Sequence, residues 1–183
     1  MKQRNQTLCV ALCGILTALG VVCLFLAGLL PMFSYALPAL AGIILVPAVV
    51  ELGPRWAWPT YAAVSILGLL LAPSKETALL FVLFFGHYTI LKALIEGHFP
   101  RTIQILLKLG VFTASIIVDF LLCIYVLGIP KEAFAIFGFY LPVLLVVLGD
   151  VVLLLYDYAF RLVIWLYMSR IHPLLHKWLF SRM

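Results

Sequence analysis

The sequence predicts an all-α integral membrane protein: a compact bundle of about six transmembrane helices in one domain, followed by a C-terminal interfacial amphipathic segment. Three observations predict it. Hydrophobic residues make up 66% of the 183 positions and charged residues 10%, with a mean hydropathy of +1.23, far from the balance of a soluble domain. The apolar stretches are long enough for helical spans of roughly 20 residues and are punctuated by short turns rich in Pro, Gly and charge. With six spans, all basic residues except Lys75 and Lys131 fall on one side of the membrane, the bias that the positive-inside rule gives a cytoplasmic face.

The expected spans are 8–30, 36–52, 56–72, 77–95, 103–128 and 134–160, with 161–183 as a cytoplasmic interfacial segment. The first follows Met1-Lys2-Gln3-Arg4 and runs well beyond the roughly 7–15 residues of a signal-peptide core, so it reads as a retained helix. The second is interrupted by Pro38 and Pro47 and closed by Glu51-Leu52-Gly53-Pro54-Arg55. Proline removes a backbone donor and crowds the preceding turn, so this span should be short or kinked, and buried or beside a cavity. Trp56 and Trp58 stand at the start of the third span, where interfacial aromatics are expected. Pro73-Ser74-Lys75-Glu76 turns the chain into the fourth, and Glu96-Gly97-His98-Phe99-Pro100-Arg101 into the fifth. Ile129-Pro130-Lys131-Glu132 makes the next turn. The last apolar stretch is too long for one membrane-normal helix, so its end should emerge; there Arg161, Arg170, His172, His176, Lys177 and Arg182 mix with Trp165, Tyr167, Trp178 and Phe180.

With six spans both termini lie on one side, and that side collects Lys2, Arg4, Arg55, Lys92, Arg101, Lys108, Arg161, Arg170, Lys177 and Arg182. Lys75 and Lys131 fall outside. The expected location is therefore a bacterial plasma membrane, multi-pass, with cytoplasmic termini. The basic residues form no patch interleaved with aromatics, so topology explains the net charge of +5 better than nucleic acid does. Cys9, Cys13, Cys23 and Cys123 sit in apolar runs at spacings that match neither a zinc site nor a disulfide framework. No phosphate-cradling Gly-rich loop, HExxH, GxSxG or CxxC occurs, so no enzyme, cofactor or metal is expected.

Ionisable groups inside the spans are costly unless paired or hydrated, which makes His87, Asp119, Asp150 and Asp157 the candidates for function. Asp157 has Arg161 one helical turn on, which reads as an interfacial ion pair. Lys92 with Glu96, and Glu51 with Arg55, read as pairs at the membrane edge. Asp150 follows Gly149 and has no opposite charge within a turn, so it must meet another helix or water. For Asp150, Asp119 and His87 two readings stay open: ligand binding, or a hydrogen-bonded lock between helices. On the first span Ala11, Gly14 and Ala18 form a small-residue stripe, and Gly14-x-x-x-Ala18 would let another helix approach closely.

The span count, the small residues of Thr7 to Gly20, the short Pro-bounded second span with Pro38-Ala39-Leu40-Ala41-Gly42 and Val50-Glu51-Leu52-Gly53, and the stretch Ser74-Lys75-Glu76-Thr77-Ala78-Leu79-Leu80 through Gly86-His87-Tyr88 resemble the S component of energy-coupling factor (ECF) transporters. That is the substrate-binding membrane subunit, and the resemblance is to uncharacterised members. It implies capture of a vitamin or similar micronutrient as a small-molecule substrate. It also implies partnership with a transmembrane coupling subunit and two ABC-type ATPases, which do the hydrolysis. The coupling subunit would face Ala11, Gly14 and Ala18, although the family's Ala-x-x-x-Ala is imperfect here because Ile15 stands four residues after Ala11. The ligand would sit in the outer half, among Phe33, Ser34, Tyr35, Lys75, Glu76, Asp119, Lys131, Glu132 and Tyr140, with His87 and Asp150 as further intramembrane candidates. The His-rich N-terminal segment of metal-specific members is missing, which points to a small, partly aromatic or acidic organic ligand. The competing expectation is a membrane scaffold or assembly protein of the MreD type, which needs no ligand pocket.

Overall fold

The computed structural model describes residues 2–98, 100–125, 128 and 142–171. Among them every regular element is helical and no strand occurs. Helix α1 (Lys2–Leu29) has no internal proline and runs unbroken until Pro31 forces Leu30 into an extended conformation. One 3-10 turn, Pro31–Phe33, is tied off by the Ser34 hydroxyl donating to the Pro31 carbonyl at 2.9 Å. Helix α2 (Ala36–Ile44) stops short of Pro47, whose missing N–H cannot continue the ladder, and the chain resumes as a wide π-helical turn, Ala48–Leu52.

Gly53 then reverses the chain with φ 82° and ψ 173°, a conformation open essentially to glycine alone, and its carbonyl starts helix α3 (Pro54–Leu71) by accepting from Trp56 and Ala57. Pro54 fits the first helical position, where no N–H is needed. A Cβ at Gly53 would meet nothing within 4 Å, so Gly53→Ala tests the backbone alone. It should cost about 1–3 kcal/mol, read as a lowered unfolding midpoint in detergent; an unchanged midpoint would show that the turn relaxes freely.

Helix α4 (Lys75–Leu80) starts after Pro73 with Ser74 as its N-cap, and passes through a π-helical stretch, Phe81–Gly86, into α5 (His87–His98). Carbonyls loosened by the wide turn find side chains: Val82 accepts from the Tyr61 hydroxyl at 2.8 Å and lies 3.2 Å from His87 Nδ1. Helices α6 (Arg101–Tyr125) and α7 (Pro142–Leu166) follow, and α7 ends in a third π-helical turn, Tyr167–Ile171. Residues 172–183, the greater part of the expected interfacial segment, lie outside the described residues.

Two stretches among the described residues are long and apolar enough to cross a membrane, Gln6–Leu29 and Lys75–Gly97; Ala36–Leu52 is apolar but shorter. Helix α3 falls short because Pro54, Arg55, Thr60 and Tyr61 dilute its apolar second half.

One face of α1 packs on α2 and α3, where Leu24, Ala41, Leu45, Val64, Ala78 and Phe81 form a buried core. Glycines set the spacing. A Cβ at Gly68 would lie 2.5 Å from Leu24 Cδ1, and one at Gly42 only 2.6 Å from the Phe85 carbonyl oxygen, so α2 rests almost directly on the backbone of the π-helical stretch. A second, aromatic core joins α5, α6 and α7: Phe84 and Phe112 stand edge to face at 5.3 Å, and Tyr88 meets Phe112, Tyr156 and Phe160 at 5.7–6.0 Å. This aromatic layer packs the first turn of α5, the middle of α6 and the second half of α7 together.

Candidate functional site

Most candidate residues read from the sequence fall among the described residues. Tyr35 is 67% exposed beside the α1–α2 turn. Lys75 caps the end of α3: its ammonium donates to the carbonyls of Leu69 at 2.8 Å, Leu70 at 3.3 Å and Ala72 at 3.1 Å. His87 is half-buried, with Nδ1 turned to the Val82 carbonyl of its own helix. Glu76 is exposed on α4, close enough to Asp119 on α6 for their like charges to repel. The buried Asp119 Oδ1 finds no hydrogen-bond donor among the described residues. Asp150 lies on α7 with its side chain outside the described part, and Tyr140 lies outside the described residues altogether, as do Lys131 and Glu132. Ala11, Gly14 and Ala18 line the exposed face of α1.

The strongest polar assembly lies elsewhere. Where α5 ends, α6 begins and α7 ends, five charged side chains meet around Asp157. Asp157 Oδ1 accepts from the Tyr88 hydroxyl and from Lys92 Nζ, with Lys108 Nζ at 3.2 Å. Its Oδ2 accepts from Arg161 Nε at 3.1 Å and Nη2 at 2.6 Å. Glu96 Oε1 bridges Lys92 at 3.0 Å and Lys108 at 2.6 Å. The side chains of Lys92, Lys108 and Asp157 are only 1%, 9% and 8% exposed, whereas that of Arg161 is 62% exposed. Burying such charges is tolerable only because each has hydrogen-bonded partners of opposite sign.

The interfacial pair of Asp157 with Arg161 expected from the sequence is present, but it is one part of a larger assembly: Asp157 is buried and is shared by three cations and a tyrosine. Lys92 and Glu96 likewise belong to this network rather than to a separate edge pair. Lys108 was the available clue, a lysine among apolar neighbours with no acidic residue within a helical turn. Glu51, considered for Arg55, accepts from the Tyr167 hydroxyl at 2.8 Å and so ties the turn after α2 to the end of α7.

A cavity of about 530 Å³ opens beside the network. It is lined by the polar side chains of Glu96, Gln104, Lys108, Asp157 and Arg161, by the apolar Ile105, Leu109 and Leu154, and by Tyr88. Three cations face two carboxylates, so the assembly carries one positive charge in excess. Such a site can hold an anionic group by charge and N–H donors. Among the described residues no group of three or more His, Cys, Asp and Glu could hold a metal ion. Comparison with protein families, with curated proteins and with solved structures finds no match.

Proposed function

We propose that the chain is a multi-pass membrane protein that works by binding, as the substrate-capturing subunit of an ECF-type uptake transporter whose energy comes from partner ATPases. The lipid setting is supported by the apolar residues that cover the outside of the helices, among them Val10, Ile15, Leu19 and Val22 on α1, Ile66 and Leu70 on α3, Ile105 and Leu106 on α6, and Val152 and Leu155 on α7. A surface of that kind is an aggregation hazard in water and well solvated by acyl chains.

The observation that carries the partner reading is the outer face of α1. Ala11, Gly14 and Ala18 are all exposed there, and a Cβ at Gly14 would meet nothing within 4 Å, so a foreign helix can approach the α1 backbone closely. The test is affinity purification of the tagged protein in mild detergent from its host membranes, followed by mass spectrometry, for the wild type and for a Gly14→Leu/Ala18→Leu variant. A transmembrane coupling subunit and paired ATPases should accompany the wild type and be lost from the variant. Their absence from the wild type, or full retention by the variant, would reject the reading.

The MreD-type scaffold remains the second reading, favoured by the few groups left for a ligand where the ECF resemblance puts one: Tyr35 is largely in the open and the Lys75 ammonium is engaged by backbone carbonyls. Recovery of cell-wall assembly proteins without ATPases would favour it.

A further inference from the structure

We propose that the cavity between α5, α6 and α7 binds the phosphate headgroup of an anionic lipid, with the lipid's chains lying along the exposed apolar seam of α6 and α7. The proposal rests on the membrane reading but assigns a site that reading does not use.

The cavity's lining is part charged and part apolar, and both parts bear on the ligand. Lys108 and Arg161 line the cavity, and with Lys92 buried behind them three cations face the two carboxylates Glu96 and Asp157, which leaves one positive charge in excess. Arg161 gives Nε and Nη2 to Asp157, and its side chain is 62% exposed, so its remaining guanidinium donors are open to an incoming oxyanion. Gln104, in the first turn of α6, adds the positive end of that helix to the same wall. Leu154 lines the cavity from α7 and Ile105 from α6, and the neighbouring Leu155 and Leu106 are exposed apolar residues.

A free inorganic anion would use the charged wall and leave the apolar wall wet. A water-soluble organic ligand would leave the seam beyond the cavity uncovered. An anionic phospholipid covers both, and the network sits at the ends of the helices, the depth at which headgroups lie. Asp157 serves this site as a positioning residue, fixing the Arg161 guanidinium and the Lys108 ammonium instead of touching the phosphate.

The experiment is thermal unfolding of the full chain, extracted from the membrane fraction in mild detergent and titrated with phosphatidylglycerol, phosphatidylcholine or inorganic phosphate. Phosphatidylglycerol near saturation should raise the midpoint by about 5 °C or more; phosphatidylcholine and inorganic phosphate should leave it unchanged. Arg161→Gln removes the exposed cation and Leu154→Trp fills the apolar side without touching a charge; each should abolish the shift measured from its own lipid-free baseline. Equal shifts with phosphatidylcholine would mean unspecific solvation, and a shift with inorganic phosphate alone would mean a soluble anion; either overturns the lipid site, as does a shift that survives in both variants. A chain extracted from membranes that shows no shift rejects the site alone, whereas a chain absent from the membrane fraction rejects the membrane reading together with it.

Discussion

Asp157→Asn will destabilise the protein by about 3–5 kcal/mol, the cost of removing one partner from a buried charge assembly. The substitution keeps the shape of the side chain and removes its charge. Lys92 and Lys108, 1% and 9% exposed, then share Glu96 as their remaining carboxylate, and Arg161 loses its bidentate partner. Equilibrium unfolding in detergent measures the loss. The double variant Lys92→Met/Asp157→Asn should recover part of it, because an apolar side chain of similar length replaces the cation left buried beside Tyr88 and Phe160. If Asp157→Asn unfolds together with the wild type, the network is not what holds α7 against α5 and α6.

The second large effect belongs to Gly42→Val. The first carbon added at this position would stand 2.6 Å from the Phe85 carbonyl oxygen and 3.0 Å from its carbonyl carbon, and backbone atoms cannot swing aside as a flexible side chain can. The two elements must separate, which also stretches the 2.8 Å hydrogen bond from the Thr89 hydroxyl to the Gly42 carbonyl. Overpacking of this kind costs about 1–3 kcal/mol. Gly14→Ala provides the contrast: its new methyl meets nothing within 4 Å, so the folded chain should be no less stable for it. Equal losses in the two variants would show that the contact between α2 and the π-helical stretch is not what sets the cost.

Much of the local architecture was legible in advance because proline and glycine act on their own neighbours. Pro31, Pro47 and Pro73 each mark a place where a helix stops or is interrupted, and Gly53 supplies the positive φ between the second and third elements. Lys75 was harder to read: a lysine in an outer turn resembles a ligand group, yet the chain curls back so that its ammonium meets the carbonyls three to six residues earlier. The π-helical stretch at Phe81–Gly86 had no visible signature. Within it the Val82 carbonyl accepts from Tyr61, which reaches across from α3, a partner 21 residues away.

By itself the sequence determined the helical class, the apolar character of the outside and the positions of the breaks, because all of these follow from composition and from neighbours within a turn or two. Only the tertiary structure decided which charges act together. Lys92, Glu96, Asp157 and Arg161 pair at i, i+4 on single helices, and that periodicity says nothing about a partner 49 to 69 residues away, as Lys108, Lys92 and Tyr88 are from Asp157. Their meeting follows from how the aromatic layer of Tyr88, Phe112, Tyr156 and Phe160 packs α5, α6 and α7 together, and packing of that kind depends on the fit of side chains from distant segments.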